Sequence, residues 1–250
     1  GLLELSFTAA LRKRQVTFEE KSPWPKQLIH SVDTNQAREL SNLPLNDGGL
    51  FMPAAGWIAP AQLVSALFKA AQAVGQCKVK TNINITNISQ QADKWLLKTE
   101  KKTFDASILV LCGGAEMLSQ ELLEELPLYP VRGQISEVQQ TKDSENLSTV
   151  ICHKGYLTPS NDGKHCIGAT FIKDSSNIEA CVEEDKTNLQ MLNKSMPNVL
   201  SWNEQNIVNS KARVRCMTPD HLPIVGPMPM IKEHIDMYPH LAKDKNWSYS

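Results

Sequence analysis

Between residues 60 and 75 the chain repeats apolar side chains at helical spacing, with Leu63, Val64, Leu67, Phe68, Ala71 and Val74 falling three or four apart. Pro60 stands where a first helical turn tolerates a missing N–H, and Gly75 where the left-handed position after the last turn favours glycine. A helix over 60–74 is the expectation. Beyond it the period shortens. Residues 77–80, 83–88 and 94–99 read as strands, and 106–112 is a continuous apolar run ending in Gly113-Gly114, the pattern of a parallel strand buried on both faces. From 129 to 171 the alternation is regular, with strands over 131–138, 149–153, 155–159 and 165–171 and a tight-turn signal at Asn161-Asp162-Gly163. This stretch reads as the antiparallel sheet of a second subdomain. A polar helix over 183–195, closed by Pro197, precedes a strand over 207–217 and a short apolar segment at 222–226.

Composition narrows the function classes. At 250 residues and 41% apolar side chains the chain is long enough for one large or two small cored domains, which excludes disordered tails, disulfide miniproteins and fibrous repeats. Lys plus Arg (26) nearly cancels Asp plus Glu (27), so no global basic field draws in nucleic acid, and an RNA partner needs a local patch or another domain. The run Arg12-Lys13-Arg14 is short and reads as a solvated face. Six cysteines without a C-x-x-C pair read as reduced thiols, and a cytoplasmic location is expected. Residues 48–68 carry no charge, but Pro53, Gly56, Pro60, Gln62 and Ser65 interrupt them, the pattern of a turn and soluble helix, and no membrane span is expected. The start at Gly1 without a basic n-region, and the polar end at residues 246–250, read as a piece cut from a longer protein.

Candidate chemistry is sparse. In Cys152-His153 and His165-Cys166, neighbours on a strand point to opposite faces, so one member of each pair at most reaches a shared ion, and no metal is expected. No G-x-S-x-G elbow is present, and Asp220-His221 reads as a turn. The twelve glycines contain neither G-x-G-x-x-G nor G-x-x-x-x-G-K. Alternation puts Arg213, Arg215 and Met217 on one strand face, taken as inward. An Arg there needs an anion, and an internal salt bridge and a substrate carboxylate both answer that need.

Several strings then occur in a telling order. They are Gly48-Gly49 through Ala55-Gly56-Trp57-Ile58-Ala59-Pro60, the Pro130-Val131-Arg132-Gly133-Gln134 box, Gly155-Tyr156-Leu157-Thr158-Pro159, His165-Cys166-Ile167-Gly168-Ala169-Thr170, and Arg215 through Gly226. Over nearly its whole length the chain resembles FAD-dependent amine oxidoreductases of the D-amino-acid oxidase and glycine oxidase type, and within them the module that acts on the tRNA wobble uridine. The resemblance implies an α+β (mixed α/β) fold: an antiparallel substrate-binding sheet with helices, plus an incomplete Rossmann-like FAD-binding portion. It divides the chain into residues 1–47 and 125–215 for substrate and 48–124 and 216–250 for FAD. Such enzymes open on a G-x-G-x-x-G loop and close on a glycine-rich flavin segment, and both ends are expected to be missing here.

By the same resemblance, Arg215 holds the substrate carboxylate and Tyr156 hydrogen bonds it, while a core tyrosine is the other reading of Tyr156. Gly56, Trp57 and Ile58 run past the flavin ring, Ile85 offers backbone to the adenine, and Gly113 and Gly114 let the chain pass close to FAD. Arg132 is expected to pair internally, and no side chain is assigned a catalytic role. The implied reaction removes the carboxymethyl group from 5-carboxymethylaminomethyl uridine, giving the aminomethyl base and glyoxylate. The implied partners are tRNA and a fused methyltransferase domain using S-adenosylmethionine. An oxidase of a free small amino acid such as glycine or sarcosine, and a non-catalytic binding module, are the alternatives.

Overall fold

Among the described residues short strands and four α-helices follow one another as β1 (Leu2–Leu5), α1 (Ala9–Lys21), β2 (His30–Val32), α2 (Thr34–Ser41), β3 (Gly49–Met52), α3 (Pro60–Ala73), β4 (Asn87–Gln91), β5 (Lys94–Lys98), β6 (Thr103–Ala106), β7 (Tyr129–Gln139), β8 (Val150–Cys152), β9 (Tyr156–Leu157), β10 (Lys164–Gly168), β11 (Ile172–Lys173), α4 (Val182–Ser195) and β12 (Ile207–Met217). The structure is a computed structural model and describes residues 1–75 and 77–228. Two units emerge: Gly1–Val79 with Arg132–Val214, and Lys80–Val131 with Arg215–Ser250.

The first unit is built on a mixed sheet in the order β11-β7-β10-β9-β8-β1-β3-β2, with β12 also paired to β7. The β1–β8 pair is parallel and the β1–β3, β2–β3, β8–β9, β9–β10 and β7–β10 pairs are antiparallel. Register lines up Phe51, Leu3, Ile151, Leu157, Ile167 and Ser136 as one row across six strands. The apolar members of that row are buried and join Leu189, Leu192 and Met196 from α4 and the segment after it in one core. A one-residue slip would turn the whole row to the other face, so this core fixes the register. The hairpin between β7's partner β10 and β9 turns at Asp162 and Gly163, both with positive φ (52° and 74°), as a type I′ turn requires.

Helix ends follow local chemistry. Thr8 caps α1 by accepting from the Leu11 N–H at 3.2 Å, and Asp33 with Gln36 forms a full capping box on α2. The α1 helix buries no residue, and Gln15 fastens it to the sheet by donating to Ser31 Oγ, Val32 O and Gly49 O at 2.7 to 3.1 Å. The helix expected over 60–74 forms as α3, with Pro60 in its first turn and Gly75 at φ +101°. Its apolar side is not buried: Leu67 is 60% and Phe68 46% exposed.

In the second unit β4, β5 and β6 form an antiparallel meander. Three strand expectations are corrected here. Residues 77–80 and 83–86 are irregular, and the run 106–112 is a strand only at Ala106. Ile108 and Val110 are 80% and 77% exposed. A run apolar on both sides needs a strand at each edge and a layer on each face, and among the described residues no strand pairs with it beyond Ala106, which pairs with Trp95.

Candidate functional site

The face of the first unit's sheet opposite the core carries a second row, Ile135, Gly168, Tyr156, Cys152 and Glu4. Tyr156 is half-buried in β9 and hydrogen bonds the Cys166 thiol, which burial nevertheless pushes up to about 11. Burial, then the nearby Glu4 charge, pushes the Cys152 thiol up as well. Both shifts favour the protonated thiol, which is the weaker nucleophile. Among the described residues no group of three or more His, Cys, Asp or Glu is arranged to hold a metal ion.

Glu137 pairs with Cys166 in register and gathers Lys211 at 2.5 Å, Asn209 at 3.0 Å and Lys164 at 3.9 Å. The Lys211 hydrogen bond is the main cause that holds its carboxyl below the usual range. Lys211 shares its side of β12 with Arg213 and Arg215 by strand alternation. That side is exposed at both arginines, which corrects the inward placement drawn from sequence. Ala212, on the alternate side, is the buried one.

The two histidines of the sequence pairs are structural. His165 lies 1% exposed in the core, with Nδ1 2.9 Å from Thr158 O, Nε2 2.9 Å from Ser144 Oγ, and its ring against Trp202. A carbonyl on Nδ1 requires the proton there, leaving Nε2 to accept from the serine. The His153 Nδ1 accepts from the Gly155 N–H at 3.0 Å, and burial pushes that ring down to about 4.

Arg132 pairs internally, as expected. Its guanidinium, 4% exposed, binds Glu184 and donates to Glu179 O at 2.6 Å and Asn177 O at 3.1 Å. Beside it Asp185 accepts from Gln134 at 2.8 Å, Ser136 at 2.6 Å and Ser210 at 2.7 Å. The network ties β7, α4 and β12 together, and sequence reasoning did not find its acidic half. Adjacent Glu184-Asp185 in a helix's first turn was the available signal.

The remaining expected residues are placed as follows. After β3, Gly56 has open space at its Cβ position, and Trp57 and Ile58 are 41% and 60% exposed. In the second unit Ile85 lines a groove of about 260 Å³ with Lys80, Ile83 and Phe104, and Lys80 and Lys102 lie over the Phe104 ring at 5.6 and 4.8 Å. Nothing in the spacing of Lys80 and Phe104 signalled that groove. At Gly113 a Cβ would meet the Met117 side chain at 2.3 Å, and Gly114 sits at φ +59°. Arg215 is exposed and belongs to the second unit, and the half-buried Tyr156 belongs to the first.

Set beside known proteins, residues 1–242 match the family profile described as FAD dependent oxidoreductase, DAO. The chain belongs to the DAO family of FAD-dependent oxidoreductases. Two relatives are the tRNA 5-methylaminomethyl-2-thiouridine biosynthesis bifunctional proteins MnmC of Shewanella baltica (strain OS195) and Aeromonas salmonicida (strain A449), each 34% identical over 95% and 98% of this chain. The chain spans 34% and 37% of their lengths, about a third. Glycine oxidase from Geobacillus kaustophilus shares the fold at TM-score 0.74 and 24% identity, covering 92% of this chain and 62% of that one. Glycine oxidase from Bacillus cereus ATCC 14579 does so at TM-score 0.77 and 18% identity, covering 91% and 64%.

The DAO family uses FAD, and the described residues meet that cofactor's needs unevenly. The Ile85 groove and the backbone at Gly113-Gly114 suit contact with a flat ring and a close chain. The pyrophosphate finds no cradle among them: the helices begin at Thr8, Asp33, Ala59 and Cys181, and none follows a G-x-G-x-x-G turn. No helix among the described residues is long and apolar enough to cross a membrane.

Proposed function

We propose that this chain is the oxidoreductase part of a tRNA-modifying DAO enzyme, which oxidises the carboxymethylaminomethyl arm of wobble uridine to the aminomethyl base and glyoxylate. The observation that carries this reading is 34% identity, over 95% of the chain, to a protein whose name states tRNA 5-methylaminomethyl-2-thiouridine biosynthesis. The arm is a secondary amine whose carbon next to nitrogen also bears a carboxylate, in effect a glycine. FAD, when bound, supplies the two-electron acceptor for that C–H bond. Water then adds to the C=N carbon, and the C–N bond breaks to give glyoxylate and the amine.

The chain's own work is positioning. Arg215 fixes the carboxylate with its planar fork, and the Tyr156 hydroxyl hydrogen bonds the same group. Gly56, Trp57 and Ile58 face the flavin, Ile85 the adenine, and Gly113 and Gly114 the cofactor's flank. Residues 1–47 and 125–215 serve as the substrate-binding domain and 48–124 and 216–250 as the FAD-binding portion. Of the latter, residues 229–250 lie outside the described ones. Residues 48–79 belong to the first compact unit. The enzyme acts in the cytoplasm, joined to a methyltransferase domain that uses S-adenosylmethionine.

The test is glyoxylate release by the full-length, FAD-loaded protein from tRNA bearing the carboxymethylaminomethyl base. Stoichiometric glyoxylate with loss of the carboxymethyl mass from the base is the expected result. Oxidation of glycine or sarcosine without action on the RNA would replace this reading with an amino-acid oxidase. Action on neither would leave a binding module.

A further inference from the structure

The basic run Arg12-Lys13-Arg14 does not behave as one solvated face. Arg12 turns to Asp47 at 2.8 Å and the Ser6 carbonyl at 3.3 Å. Lys13 and Arg14 instead join Lys21, Thr17, Phe18 and Trp24 along an open groove of about 550 Å³. Positions 13, 14, 17, 18 and 21 form one stripe at helical spacing on α1. Ser22 and Pro23 then bring the chain around so that Trp24 forms the far wall, its backbone N–H donating to Ser22 Oγ at 3.2 Å. Trp24 is 61% exposed and Phe18 is half-buried.

Charge decides what such a groove takes. Lys13, Arg14 and Lys21 line it, and no carboxylate is among its lining residues. Arg14 touches Glu4 at 3.4 Å, where the pair is 65% and 34% exposed and keeps the guanidinium in solvent. Lys13 and Lys21 stand about 12 Å apart along the axis, at ~1.5 Å per residue, enough to follow more than one phosphate. An exposed indole wall beside a row of cations is the pairing that holds single-stranded nucleic acid: a ring for a base to stack on and a basic track for its backbone.

We propose that the α1–Trp24 groove binds unpaired RNA, with a base stacked on Trp24 and its phosphates on Lys13, Arg14 and Lys21. The proposal rests on the tRNA reading above and gives it a contact surface. The net charge of −1 is no obstacle, since the groove concentrates its cations locally.

The test is the affinity of the full-length protein for a labelled tRNA anticodon stem-loop, measured by anisotropy across a salt series. Trp24→Ala should weaken binding at least ~5-fold with the salt slope unchanged, and Trp24→Phe should restore most of it. Lys13→Gln with Lys21→Gln should reduce the magnitude of the slope by about 1.4, at ~0.7 for each lost phosphate contact. Wild-type affinity and slope in both variants, in a protein that still releases glyoxylate from modified tRNA, would overturn the groove and leave the function standing. Loss of domain association or of melting temperature, with RNA affinity intact, would overturn it too, by making the groove a packing face for protein. Failure of the wild type to act on or bind the RNA would instead remove the tRNA reading itself.

Discussion

Replacing Arg132 by Met tests whether the polar network between β7, α4 and β12 is what seats α4 on the sheet. The Arg132 and Glu184 side chains are 4% and 10% exposed, so the change leaves a carboxylate facing the protein interior. It also takes a donor from the Glu179 carbonyl, 2.6 Å away, and from the Asn177 carbonyl, 3.1 Å away. Removing one partner of a buried ion pair costs about 3–5 kcal/mol. The lower end applies here, because Thr170 Oγ1 still donates to Glu184 and keeps that carboxylate from being wholly unpartnered. A loss of about 3 kcal/mol lowers the urea midpoint by roughly 1–3 M at ordinary m-values. Trp202, buried in the same core as Leu189 and Leu192, provides a fluorescence readout. The double variant Arg132→Met, Glu184→Leu removes both charges together and should return to within about 1 kcal/mol of wild type. A single-variant loss below about 1 kcal/mol, or a double variant as unstable as the two singles added, would refute the reasoning.

Acid should weaken the fold well above the range where carboxylates protonate. Burial holds His153 down at about 4 and lowers His165 from its ordinary 6.5, so below pH 6.5 the unfolded chain binds protons that the folded chain refuses. The stability is full above pH 6.5 and is lost as pH falls toward 4, by about 3 kcal/mol for His153 alone, and His153→Gln should flatten a urea-midpoint profile over that window. Arg215→Ala in the full-length enzyme should lower kcat/KM for modified tRNA by about 30-fold, or ~2 kcal/mol, with partial rescue by Lys, and unchanged kinetics would remove the residue from the site. The 250-residue chain by itself should bind FAD weakly, because its sequence has no G-x-G-x-x-G and no helix among its described residues offers a pyrophosphate cradle, and a stoichiometric yellow complex surviving gel filtration would contradict that.

Local pattern was enough where the physics is local. The α3 helix, the Asp162-Gly163 turn, the 11-residue β12 and the alternating strands from Tyr129 onward each depend on neighbours a few positions away, and the chain declares them. Motif order reached further, to the DAO family and the mixed fold, because backbone turns and glycine contacts leave fixed residue strings. What the chain did not declare depends on partners distant in sequence. The run 106–112 has the composition of a doubly covered strand, yet composition cannot supply the neighbours that would pair with it, and Ile108 and Val110 stand in solvent. Arg213 and Arg215 follow the alternation expected of them, but the side of β12 that is buried is the one carrying Ala212, which alternation by itself does not decide. Tertiary packing likewise gave Arg132 the Glu184 carboxylate, set His165 against Trp202, and split one basic run so that Arg12 met Asp47 while Lys13 and Arg14 came to line a groove with Trp24. A charge's partner is fixed by desolvation and distance in three dimensions, and neither is written in the order of residues along the chain.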